Sequence, residues 1–187
     1  MEALLTSTAL VAVAEIGDKT MLLAIVLASR FRRPLPIIAG IFFATILNHA
    51  LAAWAGSLAA DFFVGQTFRL IVAASFVAMG LWTLVPDTFD EDEAPAVSAR
   101  GAFLTTLVSF FLVEMGDKTQ LATIALGARF HDVLAVAVGT TAGMMFANVP
   151  AVMLGDALVK RVSLKAVRIT AAALFVAVGV WMLVEAL

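Results

Sequence analysis

The segment AEIGDKTM at residues 14–21 decides the fold, because it places three ionisable residues inside a stretch that is otherwise apolar. The surrounding sequence, TALVAVAEIGDKTMLLAIVLA, is long enough to cross a membrane as a helix. A second copy, VEMGDKTQ, stands at residues 113–120 in an equally apolar stretch. The chain of 187 residues is 63% hydrophobic and only 14% charged, with a mean hydropathy of +1.04. This composition indicates an integral membrane protein and not a soluble domain.

Composition also excludes several classes of function. The chain has no cysteine, so it contains neither a disulfide framework nor a thiolate metal site. Its formal net charge is −2 and no Lys/Arg-rich face appears, which argues against nucleic acid as a partner. The first apolar run lacks the basic start of a signal peptide, since Glu2 is acidic, and is therefore predicted to be a retained transmembrane helix.

The apolar runs predict an all-α integral membrane protein with six transmembrane helices. The predicted spans are Leu4–Ser29, Leu35–Ala60, Phe68–Val85, Phe103–Ala128, Val133–Leu158 and Ala166–Leu187. Between the third and fourth lies the acidic, Pro-containing sequence PDTFDEDEAPAVSAR, which is typical of a solvated linker. We therefore divide the chain into a first three-helix unit (1–86), an acidic linker (87–100) and a second three-helix unit (101–187).

The two units are copies of each other at a constant offset of 99 residues, as between the two motif glutamates at 15 and 114. The matched pairs include Asp18 with Asp117, Lys19 with Lys118, Thr20 with Thr119, Arg30 with Arg129, Gly56 with Gly155, Phe76 with Phe175 and Trp82 with Trp181. Because each unit has an odd number of spans, the second copy must enter the membrane from the opposite side. The sequence thus predicts a 3+3 inverted-topology repeat.

The distribution of basic residues supports this inversion. The loop after the first span, RFRRP, is rich in arginine, whereas in the second unit the basic loop, KRVSLKAVR, follows the fifth span. Basic loops favour the cytoplasm, so the acidic linker is predicted to be cytoplasmic and both termini to lie outside. The compact size suggests a prokaryotic plasma membrane.

If each motif continues as one helix, Glu15, Asp18 and Lys19 share a face within an arc of about 100°. Their counterparts in the second copy would do the same. Six such groups near mid-membrane would cost on the order of 15–20 kcal/mol if they were unpaired. They are therefore expected to face each other or a wet cavity, with Gly17 and Gly116 letting the two helices approach closely.

The joint site would hold Glu15, Asp18, Glu114 and Asp117 with Lys19 and Lys118, for a formal charge of −2. That charge suits one divalent cation, and without the cation, burial and like-charge repulsion favour uptake of about two protons. Oxygen donors dominate the neighbourhood, which indicates Mn²⁺ or Ca²⁺ rather than a softer metal. A structural alternative is that Glu15–Lys19 and Glu114–Lys118 ion pairs merely lock helices together.

Other polar residues extend this hypothetical site. The lysines would act as ion-pair partners or tune the proton affinity of the acids. Asn48 and Asn148 are candidate metal ligands or interhelical hydrogen-bonding groups, and Gln120, which follows the second motif, is a further ligand candidate. A polar pathway would use Thr20, Thr119, Thr45, His49 and Thr141, although His49 could equally be a packing residue.

The paired motifs resemble the E-φ-G-D-(K/R)-(S/T) pattern of a family of small cation/proton exchangers, formerly an uncharacterised protein family. That family includes Golgi calcium/manganese transporters and bacterial manganese exporters. The resemblance covers essentially the whole chain, although Met21 stands where the second copy has Gln120. It implies that the motif acids bind Mn²⁺ or Ca²⁺ and exchange it for protons, exporting the metal from the cytosol with no resident cofactor.

Three other hypotheses stay open at this stage. The chain could export amino acids or small organic cations, or it could be a non-transporting membrane scaffold. An intramembrane enzyme is disfavoured, because neither a nucleophile–base pair nor an HExxH-like motif is present. The expected partners are the metal ion, protons and membrane lipid, and the sequence leaves a homo-oligomer open.

Overall fold

The computed structural model describes residues 1–86, 101–155 and 163–187, and every regular element in these ranges is an α-helix. The predicted acidic linker at 87–100 and part of the basic segment after the fifth predicted span lie outside the described residues. The helices are α1 (Glu2–Glu15), α2 (Lys19–Phe31), α3 (Pro34–Phe62), α4 (Gln66–Thr83), α5 (Gly101–Glu114), α6 (Lys118–Phe130), α7 (Val133–Leu154) and α8 (Leu164–Ala186).

Four of these helices, α3, α4, α7 and α8, are long and apolar enough to cross a membrane. They coincide with the second, third, fifth and sixth predicted spans. The first and fourth predicted spans are instead divided between two shorter helices each, α1 with α2 and α5 with α6. The protein is thus an all-helical membrane protein. Each of its two divided spans carries one copy of the motif.

The expectation that each motif lies on one continuous helix was wrong. α1 ends at Glu15 and α5 at Glu114, while Asp18 and Asp117 are the extended N-cap residues of the helices that follow. Gly17 (φ +84°) and its counterpart in the second motif (φ +80°) adopt the left-handed conformation that glycine tolerates best. A helix cannot continue through such a residue, so the motif forms a tight turn.

The predicted role of the motif glycines in close helix packing was also wrong for the second copy. Among the described residues, a Cβ atom added at Gly116 would meet no atom within 4 Å, and the three atoms nearest to one added at Gly17 all belong to the Leu164 side chain. Both glycines are therefore required for their backbone conformation, and only Gly17 also leaves room for a side chain of another helix.

Small residues bring other helices together. A Cβ at Gly56 of α3 would lie 1.9 Å from the carbonyl oxygen of Ile124, and one at Gly127 of α6 would lie 2.3 Å from that of Ala53. α3 and α6 therefore cross with their backbones in contact, which is a packing mode common in membranes.

Each main helix–helix contact between the units has a symmetric counterpart, in which the two units have exchanged places. α1 packs on α7 as α5 packs on α3, α2 packs on α7 as α6 packs on α3, and α4 packs on α8. Phe76 and Phe175 occupy equivalent positions in the last pair, with ring centroids 6.3 Å apart. This arrangement brings the two motif turns towards each other between the units.

Candidate metal centre

Three of the four motif acids come together. Carboxylate oxygens of Glu15, Asp18 and Asp117 all lie within 4.8 Å of one another, and all three side chains are buried. Glu15 closes α1, whereas the two aspartates precede the first turns of α2 and α6. Those helix N-termini carry partial positive charge, which helps to stabilise buried carboxylates beside them. We call these three residues the acid cluster.

A cross-unit ion pair reduces the charge of the acid cluster. Lys19 Nζ lies 3.6 Å from Asp117 Oδ1, and Thr119 donates a hydrogen bond of 2.8 Å to Asp117 Oδ2. Three carboxylates and one ammonium group leave a formal charge of −2. A compact group of oxygens with this charge has the donor chemistry that hard divalent cations require.

Glu15 keeps one oxygen without a protein partner. Its Oε1 accepts hydrogen bonds from the hydroxyl of Thr20 and, at 3.2 Å, from Asn148 Nδ2. Its buried Oε2 and the buried Asn148 Oδ1 have no hydrogen-bond partner among the residues that the structure describes. Buried carboxylate and amide oxygens are seldom left unpaired, so these two atoms are suited to contact an ion or water.

Glu114 lies outside the acid cluster in the described part of the chain, and its carboxylate is fully engaged elsewhere. Thr45 Oγ1 donates to its Oε1 at 2.8 Å, and Asn48 Nδ2 donates to its Oε2 at 3.0 Å. Gln120 Nε2 in turn donates to Asn48 Oδ1 at 3.3 Å. Glu114, Asn48 and Gln120 thus form a hydrogen-bonded network of their own.

In the described part of the chain, Lys19 does not form the ion pair with Glu15 that was considered as a structural alternative. Lys19 pairs with an aspartate of the other unit, as described above. Lys118 donates to the carbonyl oxygen of Val85 at 3.4 Å and lies 5.6 Å from the centre of the Trp82 ring. Interactions between units, in which the partner is remote in sequence, could not be read from the spacing within one motif.

Two members of the predicted polar pathway are buried without visible partners. Neither ring nitrogen of His49 nor the hydroxyl of Thr141 makes a hydrogen bond within the described ranges, although both side chains are almost fully buried. The structure also reveals a small cleft that the sequence did not predict, lined in part by Asp18, Thr83 and Arg168. The available sequence clue to this cleft was Arg168, the last residue of the basic segment KRVSLKAVR.

The profile of a protein family described as "Divalent cation/proton antiporter GDT1" matches residues 3–91 and 102–187. The chain belongs to this family. The matched ranges contain both motifs and nearly all of the described helices. Its members are transporters, which disfavours the enzyme alternative and identifies divalent cation transport as the general activity.

Individual relatives agree with this assignment. A Vibrio cholerae protein named "Putative manganese exporter" is 48% identical over 94% of this chain and 87% of its own length. "GDT1-like protein 4" of Arabidopsis thaliana is 29% identical over 93% of this chain and 92% of its own. A GDT1-like protein of Synechocystis is 28% identical over 89% of each chain. No solved structure matches the chain significantly.

Proposed function

We propose that this protein is a secondary active transporter that exports Mn²⁺ from the cytosol in exchange for protons. The observation that carries the proposal is the acid cluster of Glu15, Asp18 and Asp117, which draws carboxylates from both motif turns into one buried site of formal charge −2. The family assignment supports cation/proton exchange, and the name of the Vibrio relative supports manganese.

The proposed ligands are the three carboxylates of the acid cluster together with the unpartnered amide oxygen of Asn148. This small set suits Mn²⁺ better than Ca²⁺, which usually takes six to eight oxygen ligands. Ca²⁺ is the second cargo to test. Organic cations fit the site poorly, because carboxylate oxygens within 4.8 Å of one another leave little room for a larger solute.

Protons would replace the metal when it leaves. Three buried carboxylates this close together repel one another. Departure of a divalent ion therefore favours uptake of protons by the acid cluster. The same groups would alternate between one metal ion and up to two protons, which is the minimal chemistry of an exchanger.

The proposed membrane arrangement is the six-span inverted repeat. In it, α1 and α2 together form the first span, and α5 and α6 together form the fourth. Discontinuous helices that meet between inverted units are a recurrent way to build an ion site near mid-membrane. Exposed large side chains such as Trp54, Leu81 and Phe146 suit an outer surface in contact with lipid. The acidic linker would lie in the cytoplasm and both termini outside, in a prokaryotic plasma membrane.

Reconstituted liposomes provide the test. The purified protein is placed in liposomes that contain a pH-sensitive dye, and Mn²⁺ or Ca²⁺ is added outside. We expect metal addition to drive proton movement, and Glu15→Gln and Asp117→Asn to abolish it. Glu2→Gln is the matched control. The substitution removes the same charge, and Glu2 is exposed near the start of the chain.

Absence of metal-coupled proton flux with well-folded wild-type protein would contradict the exchanger. Uptake of an organic cation under the same conditions would then favour the solute-exporter alternative. Normal flux in both site variants would instead show that the acid cluster is structural.

A further inference from the structure

Glu114 is held by a set of polar side chains that we call the Glu114 clamp, formed by Thr45, Asn48 and Gln120. Thr45 and Asn48 each donate to one oxygen of the carboxylate, and Asn48 also donates to the Phe111 carbonyl oxygen at 3.0 Å. Gln120 closes the network, since it donates to Asn48 and accepts from the Gly116 amide at 2.6 Å. The clamp therefore ties α3 to the second motif turn.

Glu15 has hydrogen-bond donors of its own, Thr20 and Asn148, but they stand at other positions in the repeat. At the repeat offset of 99 residues, Thr45, Asn48 and Gln120 correspond to Met144, Ala147 and Met21, and none of the three can donate a hydrogen bond to a carboxylate. Met21 keeps only part of the role, because its sulfur accepts from the Gly17 amide at 3.4 Å. The two units therefore differ in the contacts that decide where the motif glutamate lies.

Resting on the exchanger proposed above, we propose that the Glu114 clamp holds Glu114 out of the acid cluster and thereby selects Mn²⁺ over Ca²⁺. The clamp residues are positioning residues, and Glu15 is the glutamate that contacts the ion. A released Glu114 would add one or two oxygens to the site. Additional oxygens favour Ca²⁺, which prefers a higher coordination number, more than they favour Mn²⁺.

The test exchanges clamp residues for those of the other unit. Asn48→Ala and Gln120→Met introduce the residue types of their repeat counterparts, Ala147 and Met21, and Thr45→Val removes a hydroxyl while it conserves shape. Equilibrium binding of Mn²⁺ and of Ca²⁺ to the purified full-length protein is then measured. We expect Ca²⁺ affinity to rise roughly tenfold in Asn48→Ala, with a smaller rise for Mn²⁺, because ligand charge and number set Ca²⁺ affinity over several decades.

Two further variants show whether Glu114 causes the change. Adding Glu114→Gln to Asn48→Ala is expected to cancel the gain in Ca²⁺ affinity, as a double-mutant cycle would record. In the otherwise wild-type protein, Glu15→Gln is expected to weaken Mn²⁺ binding at least about tenfold more than Glu114→Gln does. Thr140→Val is the control for loss of a buried hydroxyl, because Thr140 bonds carbonyl oxygens of its own helix.

Several results would overturn the proposal. Equal losses of Mn²⁺ binding in Glu15→Gln and Glu114→Gln would make both glutamates ligands, and weaker binding of both ions in Asn48→Ala would make Asn48 a ligand itself. In either case the exchanger stands, since the wild type binds and transports the metal. If the clamp variants do not fold, equal losses of Mn²⁺ binding in the two glutamate variants still overturn the proposal, because Glu114 would then be a ligand.

Discussion

Lys19 shows how one side chain adjusts the charge of the site. It lies 3.6 Å from Asp117, and its own side chain is 31% exposed. The acid cluster and Lys19 together have a formal charge of −2, and replacing Lys19 with glutamine would make this charge −3. We expect Lys19→Gln to lower the KM for Mn²⁺ and to slow turnover, because a more negative site binds a cation more tightly and releases it more slowly.

Transport rates in liposomes over a range of Mn²⁺ concentrations measure the KM and the maximal rate. Lys165→Gln is the control for loss of one positive charge, because Lys165 is exposed near the start of α8. A parallel fall in maximal rate with no change in KM would contradict the electrostatic account.

The motif glycines give a second prediction at this scale. Gly116→Ala would force a side chain into a left-handed conformation although no atom obstructs it, so the strain alone should cost about 1–2 kcal/mol of stability. Gly17→Ala should cost at least as much, because the new Cβ would also displace a terminal methyl of Leu164. Thermal unfolding in detergent measures both, and an unchanged transition for Gly116→Ala would contradict the assigned backbone conformation.

Sequence reasoning identified the acids at this scale but not how they are arranged. The charge and symmetry of the motifs predicted that ionisable groups from the two units would share a site. The turn was missed, although a glycine followed by aspartate is a common helix stop and start. The separation of Glu114 from the acid cluster could not be predicted, because it depends on hydrogen bonds from Thr45 and Asn48, which are remote in sequence.

Among the described glycines, those at the crossing of α3 and α6 have the least space for a side chain. A Cβ would lie 1.9 Å from a backbone oxygen at Gly56, 2.3 Å at Gly127 and 2.8 Å from a side-chain methyl at Gly80. We expect Gly→Ala to destabilise the protein in that order. The first two should cost about 1–3 kcal/mol or more, because their added Cβ atoms would overlap backbone most severely.

Thermal unfolding and the yield of folded protein measure this series. The least affected member should be Gly80→Ala, whose added Cβ would lie 2.8 Å from a Val176 methyl and 2.9 Å from the Ala172 carbonyl oxygen. A larger loss there than at Gly56 would contradict the close α3–α6 crossing.

The positions of helices were predicted well where hydrophobicity alone determines them. The apolar runs placed α3, α4, α7 and α8 to within a few residues at most ends. The division of the first and fourth spans was not predicted, because hydropathy records the composition of a segment and carries no information on a local turn.

Topology of the whole chain can be tested with single cysteines, since the natural sequence has none. In the proposed orientation, Glu2→Cys and Val64→Cys lie outside, whereas Arg32→Cys and Ser163→Cys lie in the cytoplasm. A membrane-impermeant maleimide should therefore label the first two in intact cells and the other two only after permeabilisation. Labelling of residues 2 and 32 from the same side would mean that α1 and α2 do not cross together, and would contradict the inverted repeat.

The acid cluster has three members, and this odd number has a consequence for how such a protein can arise. Two identical subunits around a two-fold axis supply every ligand twice, so a site on that axis always holds an even number of carboxylates. Here Glu15 belongs to the cluster while its repeat partner does not. Only after gene duplication and fusion could one copy acquire the Thr45 and Asn48 contacts without imposing them on the other. A protein assembled from separate identical halves would have to keep both glutamates in the site or lose both.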